Sequence, residues 1–295
     1  EWNGRFRDDL RCFLKGDYGM AQAAIERILG SADLYSPENR GENATVNFLN
    51  CHDGFTLYDM YAYNWKHNEK NGWNNTDGDN NNNSWNCGEE GESMNPEVLA
   101  LRNRMRKNAF AVLMCSRGAA MFLAGDEFCN TQFGNNNAYC QDNEISWIDW
   151  SRKEQYSEMF EFCKFMIQLR KEHPILRGRS GPSGCGFPEV SVHNSKAWNA
   201  ECNQDTHTIG VMFAGRNASN TEDDIIYIGI NTFWEYCDIE LPKLPLGRKW
   251  KVLVNTEFEH TQDVDYDLLT RRKSDILLTM CPRSVLVARV EKYFE

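Results

Sequence analysis

Apolar positions divide the chain into two regimes. Up to about residue 175 they recur mostly with helical spacing. In residues 5–15, Phe6, Leu10 and Phe13-Leu14 fall on one side with charges between them, which predicts an amphipathic helix; residues 19–30 predict a second, closed by Gly30. Residues 45–51 form a short apolar-rich run, read as a strand, that ends in His52-Asp53-Gly54. Residues 55–65 return to helical spacing through Phe55, Tyr58 and Ala62. Asn95-Pro96-Glu97 opens the strongest helix, with an N-cap residue, proline at the first position and an acid in the first turn. Leu101, Met105, Ala109 and Val112-Leu113 continue it toward a stop near Gly118, with Arg102, Arg104, Arg106 and Lys107 assigned mostly to the opposite, polar side. A second strand, 119–124, ends in Gly125-Asp126-Glu127, and a helix over 154–172 stops before Pro174. Helices alternating with short buried strands give the rhythm of a parallel sheet.

After a Gly/Pro/Ser-rich stretch at 178–188 the period changes to two. Short alternating runs at 189–193, 207–213, 225–230, 236–241, 249–254, 276–280 and 284–290, with turn residues between them, predict an antiparallel sandwich. The expected division is 1–178 for the α/β portion and 179–295 for the all-β portion.

Composition narrows the partners. Among 295 residues, 43 acids outweigh 32 bases for a net charge of −11, which disfavours nucleic acid, and no apolar run is long enough to span a membrane. Eleven cysteines are odd in number and contain no CxxC pair, so reduced thiols in a cytoplasmic protein are expected rather than a zinc site or a disulfide framework. Asn-X-Ser/Thr triplets at Asn43, Asn74, Asn82 and Asn217 would matter only in a secreted protein.

Candidate chemistry concentrates in the first regime. His52-Asp53 alone reads first as a structural pair or cap, but polar groups at the C-terminal end of a parallel-barrel strand are typically catalytic, because the barrel interior below is filled with apolar side chains. The long polar, Asn-rich loop that follows, 66–95, is the kind that carries function, and Trp85, embedded in polar residues, is the candidate stacking platform within it. Asp77-Gly78-Asp79 followed by four asparagines lacks the glycine and glutamate positions of an EF-hand, so no metal and no cofactor are expected. Asp126 and Glu127 are read as a site rim or as loop support, and Glu89, Glu90 and Glu92 as a solvated loop or a support for that rim.

These segments, from Trp2-Asn3-Gly4 through Cys51-His52-Asp53-Gly54 and Ser84-Trp85-Asn86-Cys87-Gly88 to Asn135-Asn136-Asn137-Ala138-Tyr139-Cys140, resemble the isoamylase-type glycogen and starch debranching enzymes of the α-amylase superfamily. The resemblance implies the C-terminal part of a (β/α)₈ barrel followed by a β-sandwich, and hydrolysis of α-1,6 branch points in an α-glucan. It assigns Asp53 the part of the third catalytic carboxylate and His52 that of a sugar contact, and it places the nucleophile and the general acid before residue 1. The chain alone is therefore expected to be inactive. Its opened barrel is expected to expose Val46, Phe48, Met121 and Phe122 or their neighbours, and either to self-associate or to stay loosely packed beside an ordered sandwich. A non-catalytic α-glucan-binding or scaffold module on the same fold is the alternative, and a pullulanase-like specificity is a variant of the first reading.

Overall fold

The computed structural model describes residues 1–292 except 37, 39, 42, 43 and 179. Asn43, and Arg179 at the expected domain boundary, therefore lie outside the described residues. Helix α1, Gly4–Lys15, starts where the Asn3 side chain accepts the Phe6 N–H at 2.9 Å, and it stops at Gly16 in a left-handed C-cap. It buries Phe6, Leu10, Phe13 and Leu14 against α2, Ala21–Ile28.

Strand β1, Val46–Asn47, pairs in parallel with β2, Ala119–Ala120, and Trp2 bridges to Val46, also in parallel. Gly118 is required at the close approach of the two strands: its φ is +114° and a Cβ would fall 2.5 Å from a Thr45 methyl. Both strands are shorter than the runs 45–51 and 119–124 that predict them. Beyond Asn47, side chains replace the ladder. The Leu49 carbonyl accepts from the Arg11 guanidinium at 2.6 Å, and the Asn50 amide donates to Asp126.

The expected helix over 55–65 reduces to one turn, α3 (Leu57–Met60), capped by Thr56. Its continuation is lost because the Ala62 carbonyl is drawn to Arg102 and the Asp59 carboxylate turns inward to Thr131 and Gln132.

Helix α4, Pro96–Cys115, begins as its cap predicts, with the Asn95 side chain accepting from Glu97 N. Its polar side is a correction. Arg102, Arg106 and Lys107 are buried, because the 86–91 loop and neighbouring helices cover the side assigned to solvent. Arg102 donates to the carbonyls of Asn86, Gly91, Ala62 and Glu89, while Lys107 reaches Glu158 and the Phe258 carbonyl. Helices α5, Arg152–Gln155, and α6, Ser157–Glu172, complete the α/β portion.

The remaining elements are β3 (Val190–His193), β4 (Thr208–Arg216), β5 (Asp223–Asn231), β6 (Cys237–Glu240), β7 (Arg248–Asn255), α7 (Tyr266–Leu269), β8 (Arg271–Arg272), β9 (Leu277–Met280) and β10 (Ser284–Lys292). They form a five-stranded sheet of order β3-β4-β5-β10-β7 and a three-stranded sheet of order β6-β9-β8, antiparallel throughout. Among the described residues only β8, two arginines with no apolar pattern, has no counterpart among the predicted strands.

The larger sheet is covered on both faces. Ile209, Val211, Phe213, Ile228 and Val285 join the core of α1, α2, α4 and α6, whereas Met212, Tyr227 and Leu286 pack on Ile239, Leu278 and Met280 of the smaller sheet. The architecture is the C-terminal part of a barrel followed by a β-sandwich. Among the described residues no helix is long and apolar enough to cross a membrane. Of the side chains expected at an opened barrel surface, Phe48 is buried and edge-packed by Trp2; Val46, Met121 and Phe122 are half-buried, and Trp2 carries the exposure instead.

Candidate functional site

His52 and Asp53 follow the β1 segment on a loop whose backbone is fixed on both sides. Arg11, buried in α1, donates to Leu49 O at 2.6 Å and to Asn82 O at 2.8 Å, so one cation holds both the end of the strand segment and the Asn-rich loop. Burial lowers its guanidinium to about 10. On the other side, Gly54 N donates to Asn136 O at 3.0 Å.

The imidazole and carboxylate themselves are open to solvent, 66% and 79% exposed, with His52 Nε2 3.4 Å from Asp53 Oδ2 and the His52 ring against the edge or face of Trp2 at 5.7 Å. Asp53 lines a cleft of about 350 Å³ together with Arg7, Asp8, Asp79, Asn82 and Asn136. Asp8 is held bidentately by Arg7, at 2.7 and 3.1 Å.

Asp126 is buried beneath this region. Its carboxylate accepts from Leu57 N at 2.9 Å, Leu123 N at 3.0 Å and the Asn50 amide, tying the β1 segment, α3 and its own loop together. Burial pushes its carboxyl up to about 7, against the N–H donors that pull it down. Asp59 is a second such group, pushed up to about 6 by burial while bonded to Thr131 and Gln132. Glu127, half-buried, accepts from Gly125 N at 2.9 Å and supports its own turn.

The Asn-rich loop is built by asparagine pairing. Asn68 and Asn136 exchange hydrogen bonds, Asn68 Nδ2 to Asn136 Oδ1 at 2.8 Å and Asn136 N to Asn68 Oδ1 at 2.9 Å; Asn136 Nδ2 also reaches Asp79 O and Asn82 Oδ1. Asn135 pairs with Asn71, and Asp77 Oδ2 accepts from both Asn71 and Asn137 at 2.8 Å. Asp77 is thus engaged by amides, and no group of three or more His, Cys, Asp or Glu that could hold a metal occurs among the described residues. Glu89, Glu90 and Glu92 accept from Ser93, from Asn64 N and Trp65 N, and from Tyr58. They brace the loop.

The structure brings His52 and Asp53 together and sets Asp126 and Glu127 behind them as framework. Trp85 is elsewhere: it does not line the cleft, it packs on the core, and the Arg283 guanidinium lies over its ring at 4.4 Å, closing that face to a sugar. Sequence reasoning missed Arg11 and the Asn68–Asn136 pair. Arg11 lies among apolar neighbours in a helix that seemed to need only a solvent-facing charge there, and the paired asparagines are too far apart in sequence for any local pattern.

Comparison with known proteins completes the picture. No family model matches. The chain is 47% identical over 179 residues to the glycogen operon protein GlgX homolog of Mycobacterium tuberculosis, covering 61% of this chain and 25% of that protein. It is 39% identical over 265 residues to the chloroplastic isoamylase 3 of Oryza sativa subsp. japonica, covering 90% of this chain and 32% of that protein. It thus spans a quarter to a third of the length of these relatives. Among solved structures, the pullulanase from Bacillus acidopullulyticus superposes with a TM-score of 0.63 at 18% identity over 98% of this chain and 30% of its own, which relates the folds. The pullulanase from Anoxybacillus sp. LM18-11 complexed with maltotetraose gives 0.61 at 20% identity, over 98% of this chain and 34% of its own.

Proposed function

We propose, because this chain belongs to the isoamylase-type debranching family of glycoside hydrolases as a C-terminal portion of such an enzyme, that it contributes part of a site cleaving α-1,6 branch points in glycogen or a related α-glucan. In this reading Asp53 is the third catalytic carboxylate and His52 a sugar contact. The nucleophile and general acid are not supplied by this chain.

Retaining glycosidases require two carboxyl groups about 5–5.5 Å apart around an oxocarbenium-like transition state. A further carboxylate bonded to ring hydroxyls strengthens its hold as positive charge develops. The observation that carries the reading is the pairing of His52 with Asp53, both open to solvent, on the loop that follows the parallel strand β1, with Asp53 lining a polar cleft. Of the other acids lining the cleft, Asp8 is held by Arg7, and Asp79 accepts from Asn81 N at 2.8 Å.

The rest follows as part of the same proposal. The domains divide at 178/179. Neither nucleic acid nor membrane is a partner, no cofactor or metal takes part, and Asp126 and Glu127 act through the loops they brace. Eleven free cysteines suit a reducing compartment such as the cytoplasm. Self-association would occur along the edge carrying exposed Trp2; light scattering at tens of micromolar that finds only monomer would reject it.

The test is Asp53→Asn in the whole enzyme carrying these residues. The expected result is a fall in kcat of at least about 10²-fold with an unchanged melting temperature. Activity within a few-fold of the parent would remove Asp53 from the chemistry. The chain by itself should release no reducing ends from glycogen; turnover comparable to a whole debranching enzyme would overturn the assignment of the missing acids.

A further inference from the structure

A cavity of about 570 Å³ opens on the sandwich where residues 243–250 and 267–276 meet. It shares no lining residue with the cleft at Asp53. Its volume is in the range of small-ligand sites, about 300–1,000 Å³. Its charge is opposite to that of the molecule. Lys243, Arg248, Lys249 and Arg272 line it against Asp267 and Asp275, four cations to two acids in a chain of net charge −11. The cleft at Asp53 has the reverse balance, with Asp8, Asp53 and Asp79 against Arg7 and Arg11.

Ion pairing does not cancel the positive excess. Arg272 is committed to Asp267, which also accepts from Val252 N at 2.8 Å. Arg248 shares the one carboxylate of Asp223 with Arg216, so that group keeps a positive charge over. The Lys243 ammonium makes no ion pair or hydrogen bond with a described residue.

Both walls are fixed before any ligand arrives. Pro242 and Pro245 bracket Lys243-Leu244, Leu241 N donates to Ile276 O at 2.7 Å, and the Trp250 indole donates to Pro242 O at 2.8 Å. The 273–276 turn is closed by Lys273 N, which donates to Leu277 O at 2.8 Å, and by Ser274 Oγ, which accepts from Leu277 N at 3.1 Å. A preformed site spends little binding energy on ordering itself. Part of the lining is apolar: Leu244 and Ile276 pack on the core that holds Trp250.

The lining chemistry selects the ligand's class. A neutral molecule would gain nothing from the cations, and a bare inorganic anion would leave Leu244 and Ile276 uncovered. A nucleic-acid strand would meet the chain's net negative charge outside the cavity. An organic phosphate with a flat apolar body satisfies every part. The cations of residues 243–249 suit the phosphate oxygens, Leu244 and Ile276 suit a base, and the carboxylate of Asp275 and the hydroxyl of Ser274 suit ribose hydroxyls.

We propose that this cavity binds a nucleoside phosphate, with Lys243, Arg248 and Lys249 holding the phosphate and Leu244 and Ile276 covering the base. The assignment goes beyond the function proposed above and does not depend on it.

The experiment titrates the chain as it stands with ADP by calorimetry in the presence of EDTA, with inorganic phosphate and adenosine in separate arms. Saturable binding of ADP is expected, with each of the two fragments at least about tenfold weaker, a difference of about 1.4 kcal/mol. Lys243→Gln and Lys249→Gln, each first checked for an unchanged melting temperature, should each weaken ADP binding about tenfold. Lys164→Gln removes a charge from α6, away from the cavity, and should leave the affinity unchanged. Absence of saturable binding at millimolar ADP would overturn the proposal. So would binding unmoved by both cavity variants, or weakened equally by Lys164→Gln. Inorganic phosphate binding as tightly as ADP would mean an adventitious ion only, and would overturn it as well.

Discussion

Arg283 places its guanidinium carbon 4.4 Å from the centre of the Trp85 ring while donating from Nη1 to Lys15 O at 2.9 Å. One cation from the start of the last strand thus covers a loop aromatic and satisfies a C-terminal carbonyl of α1. The Arg283 backbone adds to the joint: its carbonyl accepts from Asn108 of α4 at 2.8 Å, and its N–H donates to Phe233 O. The barrel portion and the sandwich are fastened at this point, which gives Trp85 a packing function.

Trp85→Ala should therefore cost stability. A cation–π pair contributes about 0.5–2 kcal/mol, and the half-buried indole adds lost packing, for a total of ~2–3 kcal/mol. Urea denaturation measures it. Affinity for maltoheptaose should not change; a variant of parental stability that loses glucan binding would restore Trp85 as a sugar platform.

Arg11→Met keeps the length of the side chain and removes its donors. The carbonyls of Leu49 and Asn82 would then be left without their charged partner, at a cost of ~2–4 kcal/mol. Arg11 acts as a positioning residue, so the discriminating measurement is local. Amide exchange should accelerate around residues 49–54 and 79–83 together, and in the whole enzyme kcat should fall more than KM rises. Acceleration confined to α1 would leave Arg11 with a structural role only.

The sandwich was the most legible part of the sequence, for a physical reason. Alternation of the kind seen in Ile209, Val211 and Phe213 survives because each residue's face is set by the strand itself. The α4 start was equally clear, since Asn95, Pro96 and Glu97 act on backbone groups within one turn. The polar side of α4 was not. Whether Arg102 meets water or the carbonyls of Asn86 and Gly91 depends on where a separate loop packs. The same holds at the site. His52-Asp53 could be read locally, but Arg11, Asp126 and Asn136 reach it from elsewhere in the chain, and side-chain bonds that shorten β1 leave no periodic trace. Trp85 among polar neighbours looks exposed until Arg283 is brought over it.

Gly78 tests the asparagine framework. Its φ is +73°, and a Cβ would lie 2.2 Å from Asn136 Oδ1 and 2.7 Å from Asn68 Nδ2, inside the reciprocal pair that anchors the loop. Gly72, in the same loop with φ +81°, has nothing within 4 Å of the corresponding position. Gly78→Ala should cost ~1–3 kcal/mol more than Gly72→Ala and should open residues 66–83 to protease. Equal effects of the two substitutions would mean that backbone strain alone matters and that the Asn68–Asn136 pair does not hold the loop.

Asp126 should give the stability a pH dependence of definite sign. Its carboxyl is raised from 3.8 to about 7 in the folded state, first by burial. Between those values the folded protein keeps a proton that the unfolded chain has released, so stability from this group is full below about pH 4 and is lost as pH rises toward 7. Asp59, raised to about 6 by burial, acts in the same direction over a narrower window. A shift of roughly three pKa units corresponds to ~4 kcal/mol at most. Asp126→Asn cannot ionise, and its amide N–H₂ must face either the Leu57 N–H or the Leu123 N–H and Asn50 amide, so it should be less stable than the parent at pH 4.5. That deficit should shrink between pH 4.5 and 7.5, because only the parent loses stability through this position as pH rises. Urea midpoints of both proteins across this range decide it. Parallel curves would show that Asp126 is already ionised throughout, its three N–H donors outweighing its burial.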